Sequence, residues 1–155
     1  MICVDLTYYK PSRKAAKGRH PTNAVIAVTN YDHCTKKYWL IAEIDRKPAR
    51  IEKYIPISYM VFETEKGYHF YTKISHENPL KVIRIGLKLG FDKGQLKLGI
   101  KRYRIMKDKS YAFLLLRITP KYDKEKETFK PIYIANELPL WHQQVLSLLR
   151  RIWGF

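Results

Sequence analysis

Apolar and polar positions alternate along the chain mostly with strand-like periods. Ala24 to Thr29 (AVIAVT) is continuously apolar, and Tyr38 to Asp45 (YWLIAEID) is a second such run that ends on two acids. Ile57 to Glu63 and Tyr68 to Ile74 flank Thr64-Glu65-Lys66-Gly67, whose glycine suits a hairpin connection. The period then changes. Asn78 is a good helix N-cap, Pro79 fits the first helical position, and Gly90 suits the stop. Between them Leu80, Ile83 and Leu87 recur at helical spacing, while Lys81, Arg84 and Lys88 share the other side. Gln95 to Tyr103 alternates, with Leu96, Leu98 and Ile100 on one face and Lys97 and Lys101 on the other, which predicts a strand. Tyr111 to Thr119 (YAFLLLRIT) predicts a buried strand. From about Pro139 to Trp153 the pattern is an amphipathic helix, with Trp141, Val145, Leu148 and Ile152 on one stripe and Arg150 and Arg151 complementing its C-terminal dipole. Lys10 to Pro21 and Pro120 to Pro131 read as loops.

Strands in succession, a helix, more strands and a closing helix predict one α+β domain. Its sheet is mainly antiparallel with helices packed on it, and an RRM-like core is the economical arrangement. With 155 residues the chain is long enough to bury a core without staples, and an apolar share of 46% excludes disorder as the default. Charge changes the picture most. Thirty Lys and Arg against fourteen Asp and Glu leave +16, with a pI near 9.8, which favours polyanionic partners such as DNA or RNA. Lys10, Arg13, Lys14, Lys17 and Arg19 form a basic arm suited to phosphate contacts. The basic residues are spread along the chain instead of clustering at one end, so an anionic membrane surface is not expected. Cys3 and Cys34 show no C-x-x-C pattern and read as buried reduced thiols. No signal-like segment and no long apolar run appear, so the expected location is cytoplasmic.

Three groups of residues carry candidate chemistry. Glu43 and Asp45 are two apart in a strand, so their carboxylates share a face, and two like charges so placed favour a divalent cation between them. The plainer reading is a strand ending at the surface with its acids in solvent. Lys66-Gly67-Tyr68-His69 places a glycine, which lets a backbone approach a ligand, just before a histidine able to donate to a phosphate oxygen. A histidine among aromatics is also a common core residue. Asp92 follows the helix and is either a third acid for the metal or a turn residue, with Asp108 and Asp123 as alternatives for the third position. Arg102 and Arg117 follow on later strands, and a guanidinium inside LLLRIT needs a carboxylate or phosphate partner.

The order of these groups, from about Tyr38 to Lys121, resembles the archaeo-eukaryotic primase superfamily, in particular the small primase-polymerases of archaeal plasmids and viruses. The acidic pair matches Glu43 and Asp45, the histidine after a small residue matches Gly67 and His69, and the single later acid matches Asp92. The pair reads Glu-x-Asp where Asp-x-Asp or Asp-x-Glu is commoner, and Gly67 stands where serine is frequent. The resemblance implies a nucleotidyltransferase that uses Mg²⁺ or Mn²⁺ held by Glu43, Asp45 and Asp92. Nucleoside triphosphates would then contact Lys66, Gly67, His69, Arg102 and Arg117, and other replication proteins would be partners. Two other readings compete. A non-catalytic RRM-like domain would stack bases on exposed aromatics, for which twelve tyrosines offer material. An HUH-type initiator needs a second histidine on the strand, and Tyr71 stands where it would be.

Overall fold

The computed structural model describes residues 1–9, 25–121 and 127–155. In chain order it has strands β1 (Leu6–Tyr9), β2 (Val25–Thr29), β3 (Tyr31–Asp32), β4 (Lys37–Ile44), β5 (Ser58–Thr64) and β6 (Tyr68–His76). Helices α1 (Pro79–Leu89) and α2 (Lys93–Met106) come next, then β7 (Leu115–Arg117), β8 (Phe129–Ile134) and helix α3 (Leu140–Trp153). All pairings are antiparallel. One sheet has the order β3-β4-β6-β5-β8 and the other β1-β2-β7. The domain is therefore α+β, as the strand and helix patterns predict. Six strands precede the first helix, so the βαββαβ alternation of an RRM is not read from the element order.

Residues one apart on the central strands face opposite layers. On β6, Phe70 packs against Tyr54 and Phe91 on the side of α1, whereas Tyr71 packs against Trp141 of α3. Both faces of the larger sheet are thus covered. Helix α1 starts as expected, with the Asn78 side chain accepting the Leu80 N–H and Pro79 at the first position; it stops at Gly90, whose φ of 87° few side chains tolerate. Asn30, fully buried at the β2–β3 junction, joins the two sheets. Its side chain donates to the Trp39 carbonyl and accepts the Leu114 N–H, so a buried amide is satisfied from both sides. Gln95 adds a second tie, donating to the carbonyls of Ile41 and Leu115.

Four expectations are corrected. Gln95 to Tyr103 is not a strand but most of α2. Leu96 and Gly99 are buried one turn apart, while Leu98, which alternation put on the same face as Leu96, is 52% exposed. Within Tyr111 to Thr119 only Leu115–Arg117 pairs as a strand, although Ala112, Leu114, Leu116 and Ile118 are buried as expected. The end of the loop expected from Pro120 to Pro131 is strand. Phe129 to Pro131 belong to β8, and Pro131 is tolerated there because β8 is an edge strand with a register shift at that point. Finally, Cys3 and Cys34 are not separate thiols. They form a disulfide that ties the N-terminal segment to the β3–β4 turn. Disulfides are frequent in oxidising compartments and in proteins of hyperthermophiles, so cysteine usage no longer supports a cytoplasmic location. No helix among the described residues is long and apolar enough to cross a membrane.

Candidate functional site

Past its short pairing with β3, the outer edge of β4 pairs with no strand among the described residues. The turn into α2 occupies that edge: the Asp92 N–H donates to the Glu43 carbonyl at 3.0 Å, and one Asp92 carboxylate oxygen accepts the Asp45 N–H. The other oxygen lies 3.4 Å from the Arg46 guanidinium. On the opposite edge of β4, Glu43 pairs in register with His69 of β6, and its carboxylate is 3.6 Å from His69 Nε2. Glu43, Asp45, Asp92 and His69 are therefore brought together, from two strands and one helix start.

Electrostatics express this proximity. Burial, then the charges of Asp45 and Asp92, push the Glu43 carboxyl up to about 7, although Lys121 and Arg117 oppose the shift. His69 is held down to about 3 by burial, reinforced by Arg117 and Lys121, so it is a neutral imidazole at neutral pH; its Nδ1 is buried without a hydrogen-bond partner. Burial and the neighbouring cations Arg117 and Lys66 lower Lys121, while Glu43 and Asp45 hold it up. Tyr9, at the end of β1, is raised by burial and feels both Arg117 and Glu43. Neither Lys121 nor Tyr9 was named by the motif order, and no spacing signal in the sequence marks them.

The other candidates have specific fates. Arg117 finds a carboxylate, Glu127 at 3.3 Å, and donates to the Thr119 carbonyl. Gly67 lies against the end of β4, where an added Cβ would come within 1.8 Å of the Ile44 carbonyl oxygen. Lys66, beside it, is close enough to Lys121 to lower that amine. Arg102 is on a helix, not a strand, and is bound elsewhere. It donates to the carbonyls of Tyr111 and Phe113 and stacks over the Phe113 ring. Asp108 follows the far end of α2, about 20 Å from Asp92 at 1.5 Å per residue, and accepts from Ser110. It does not join the cluster. Asp123 and the basic arm of Lys10, Arg13, Lys14, Lys17 and Arg19 lie outside the described residues.

Among the described residues, the one group of three His, Cys, Asp or Glu ligands whose atoms all lie within 4.8 Å of one another is Cys3, Asp32 and Cys34. It does not fit a metal, because the sulfurs are bonded to each other and the Asp32 carboxylate accepts from the Cys34 and Thr35 N–H groups and from Trp39 Nε1. In the acidic cluster the Asp92 carboxylate is engaged with Asp45 N–H and Arg46, and the Glu43 carboxylate lies 3.6 Å from His69 Nε2. No three of Glu43, Asp45, Asp92 and His69 bring ligand atoms within 4.8 Å of one another; Asp92 fixes the backbone of Asp45, which leaves Glu43 and Asp45 as the carboxylates that would hold a cation if one bound.

One consequence concerns stability. A carboxyl raised to about 7 in the folded state is protonated there between roughly pH 4.5 and 7, while the unfolded chain has already lost that proton. Folding stability from Glu43 therefore declines as pH rises through that window. Glu43→Gln should remove this slope, matching the wild-type melting temperature at pH 5 and exceeding it at pH 8. Thermal melts at the two pH values check this; an unchanged difference between them would show that Glu43 ionises without penalty.

No protein-family model, curated protein or solved structure matches this chain.

Proposed function

We propose that the protein acts on nucleic acid at the end of β4, as a nucleotidyltransferase of primase-polymerase type. Glu43 and Asp45 would hold Mg²⁺ or Mn²⁺, and the bound ion would neutralise developing charge on a phosphoryl group. The observation that carries this reading is the convergence of three carboxylates beside His69, a buried imidazole whose Nδ1 is unpartnered. Acids in electrostatic reach of one another favour a cation, and an orphaned buried nitrogen favours a polar ligand. In this reading Asp92 positions Asp45, while Arg117 and Lys121 set a positive potential on the same side for nucleoside triphosphates.

Incorporation of labelled nucleotides on a single-stranded template, with and without primer, in Mg²⁺ and in Mn²⁺, tests it. Asp45→Asn should abolish extension without lowering the melting temperature by more than a few degrees, and metal should raise the wild-type melting temperature more than that of the Glu43→Gln, Asp45→Asn pair. His69→Ala should weaken nucleotide use while template binding persists. Extension that survives Asp45→Asn would remove this site from the chemistry. A second reading, a binding domain without catalysis, is favoured by the engagement of Asp92 with Asp45 and Arg46. A folded wild-type protein that binds nucleic acid and incorporates nothing would select it. Such binding would not use an RRM-type stacking face, since both faces of the larger sheet are covered and Tyr54 and Tyr71 are core residues.

A further inference from the structure

The helical layer formed by α1 and α2 carries an unneutralised band of positive charge. Between Pro79 and Met106 the single acid is Asp92, which is engaged at the β4 edge. Seven cations of this stretch are exposed: Lys81, Arg84 and Lys88 on α1, and Lys93, Lys97, Lys101 and Arg104 on α2. None of them makes an ion pair with a described residue.

Their spacing makes rows. On α1 the positions repeat at three and four residues, opposite buried Val82, Ile83 and Gly86. On α2 they repeat at four, four and three, away from buried Leu96 and Gly99. The α2 row spans twelve residues, Lys93 to Arg104, about 16 Å at 1.5 Å per residue, and packed helices lie about 8–10 Å apart. Both helices pack on each other and on the larger sheet, so the cations stand on a rigid frame.

We propose that the outer face of α1 and α2 binds the phosphate backbone of nucleic acid, through charge and without reading base identity. Two observations favour this partner over an anionic membrane. A membrane-surface helix needs its apolar face free to enter the interface, and on α1 that face is buried through Val82, Ile83 and Gly86; α2 buries Leu96 and Gly99 but leaves Leu98, Ile105 and Met106 exposed, so it is α1 that carries the argument. The α2 row also begins at Lys93, the residue after Asp92, so a strand lying along it arrives at the acidic end of β4. Binding at this face does not require that the acidic cluster be catalytic.

The test uses the full chain and a short mixed-sequence DNA duplex in a salt series. Lys97, Lys101 and Arg104, all replaced by Gln, should weaken duplex binding at least tenfold at low salt. The slope of log affinity against log salt should fall by about 3, close to one per lost phosphate contact. The α1 set, Lys81, Arg84 and Lys88 to Gln, should do the same. A control with the same loss of charge, Lys37, Arg50 and Lys53 to Gln, should keep wild-type affinity within about threefold. These side chains are exposed, so all three proteins should melt near the wild-type temperature. Equal loss in the control and the helix variants would overturn the proposal in favour of diffuse charge. Retained duplex binding with lost binding to phosphatidylserine vesicles in the helix variants would overturn it in favour of a membrane. Because the readout is binding alone, a protein inactive in nucleotide incorporation still decides it.

Discussion

Gly67→Ala is expected to unfold the protein or leave it barely stable. Gly67 closes the β5–β6 hairpin, its carbonyl accepting from the Thr64 N–H at 2.8 Å and its N–H donating to Thr64 Oγ1 at 3.1 Å. It also touches the end of β4. A Cβ there would lie 1.8 Å from the Ile44 oxygen, 2.8 Å from the Ile44 carbon and 2.9 Å from the Arg46 nitrogen. These are backbone atoms at the end of β4 and just beyond it, and none can swing aside as a flexible side chain would. Relief would require pulling the hairpin off β4, and with it the Ile44–Tyr68 and Glu43–His69 pairs. A backbone clash of this kind belongs with the severe losses, on the order of 4 kcal/mol or more, against a total of about 5–15 kcal/mol for a domain. Gly94→Ala is the control: its Cβ would meet nothing within 4 Å, and in the first turn of α2 it should be neutral or stabilise by roughly 0.5–1 kcal/mol. Denaturant unfolding of the two variants decides the matter. A Gly67→Ala protein as stable as wild type would mean that the hairpin and β4 do not approach this closely, and a glycine kept open for a ligand would again be the better reading.

The elements legible in the sequence are those whose signals are local. Asn78, Pro79 and Gly90 bracket α1 because capping chemistry acts within one turn. The α3 stripe locates the helix, but of its residues only Trp141 and Val145 are buried; the buried face is turned toward His142, Leu146 and Leu149, and Leu148 and Ile152 are half-buried. Helix α2 was misread because alternation and helical periodicity share positions. Leu96 and Ile100 are compatible with either, and Leu98 tipped the pattern toward a strand although it faces solvent. Packing against α1 through Gly99, whose hypothetical Cβ would meet the Ile83 side chain at 2.7 Å, decides for the helix, and no alternation count contains that contact. In the sequence, Glu43, Asp45 and His69 share a site only through the family resemblance; the pairing of β4 with β6 that sets Glu43 across from His69 is a long-range contact that no local pattern carries. The part played by Asp92 was not legible either, since it depends on which edge of β4 stays unpaired. The Cys3–Cys34 link was equally hidden, because two cysteines 31 residues apart carry no spacing signal and only the β3–β4 turn brings them within a Cα distance of 5.1 Å.

The second large effect is acid lability centred on His142. This residue is fully buried among Trp39, Tyr59 and Trp141, with neither ring nitrogen in a well-formed hydrogen bond although the Thr72 backbone lies near the ring. Burial holds its imidazole down to about 3; the Thr72 backbone and the Asp32 carboxylate pull the other way and are outweighed. The unfolded chain takes up the proton near pH 6.5 while the folded protein stays neutral, so stability is full above that value and declines as pH falls toward 3. At about 1.4 kcal/mol per pH unit the loss from this one group reaches about 2 kcal/mol by pH 5, or roughly 4–8 °C in melting temperature for a domain of this size. His69, also held near 3, adds a loss of the same sign, whereas Glu43, raised to about 7, gains stability over the same interval. The net curve of the wild-type protein is therefore a poor measure, and the difference from a variant is the useful one. His142→Leu removes two buried unpaired nitrogens from an aromatic nest. Its melting temperature should fall less between pH 7 and pH 5 than that of wild type, by those 4–8 °C. Parallel curves for the two proteins would show that His142 is protonated as easily folded as unfolded, which the surrounding rings allow only if water reaches the ring.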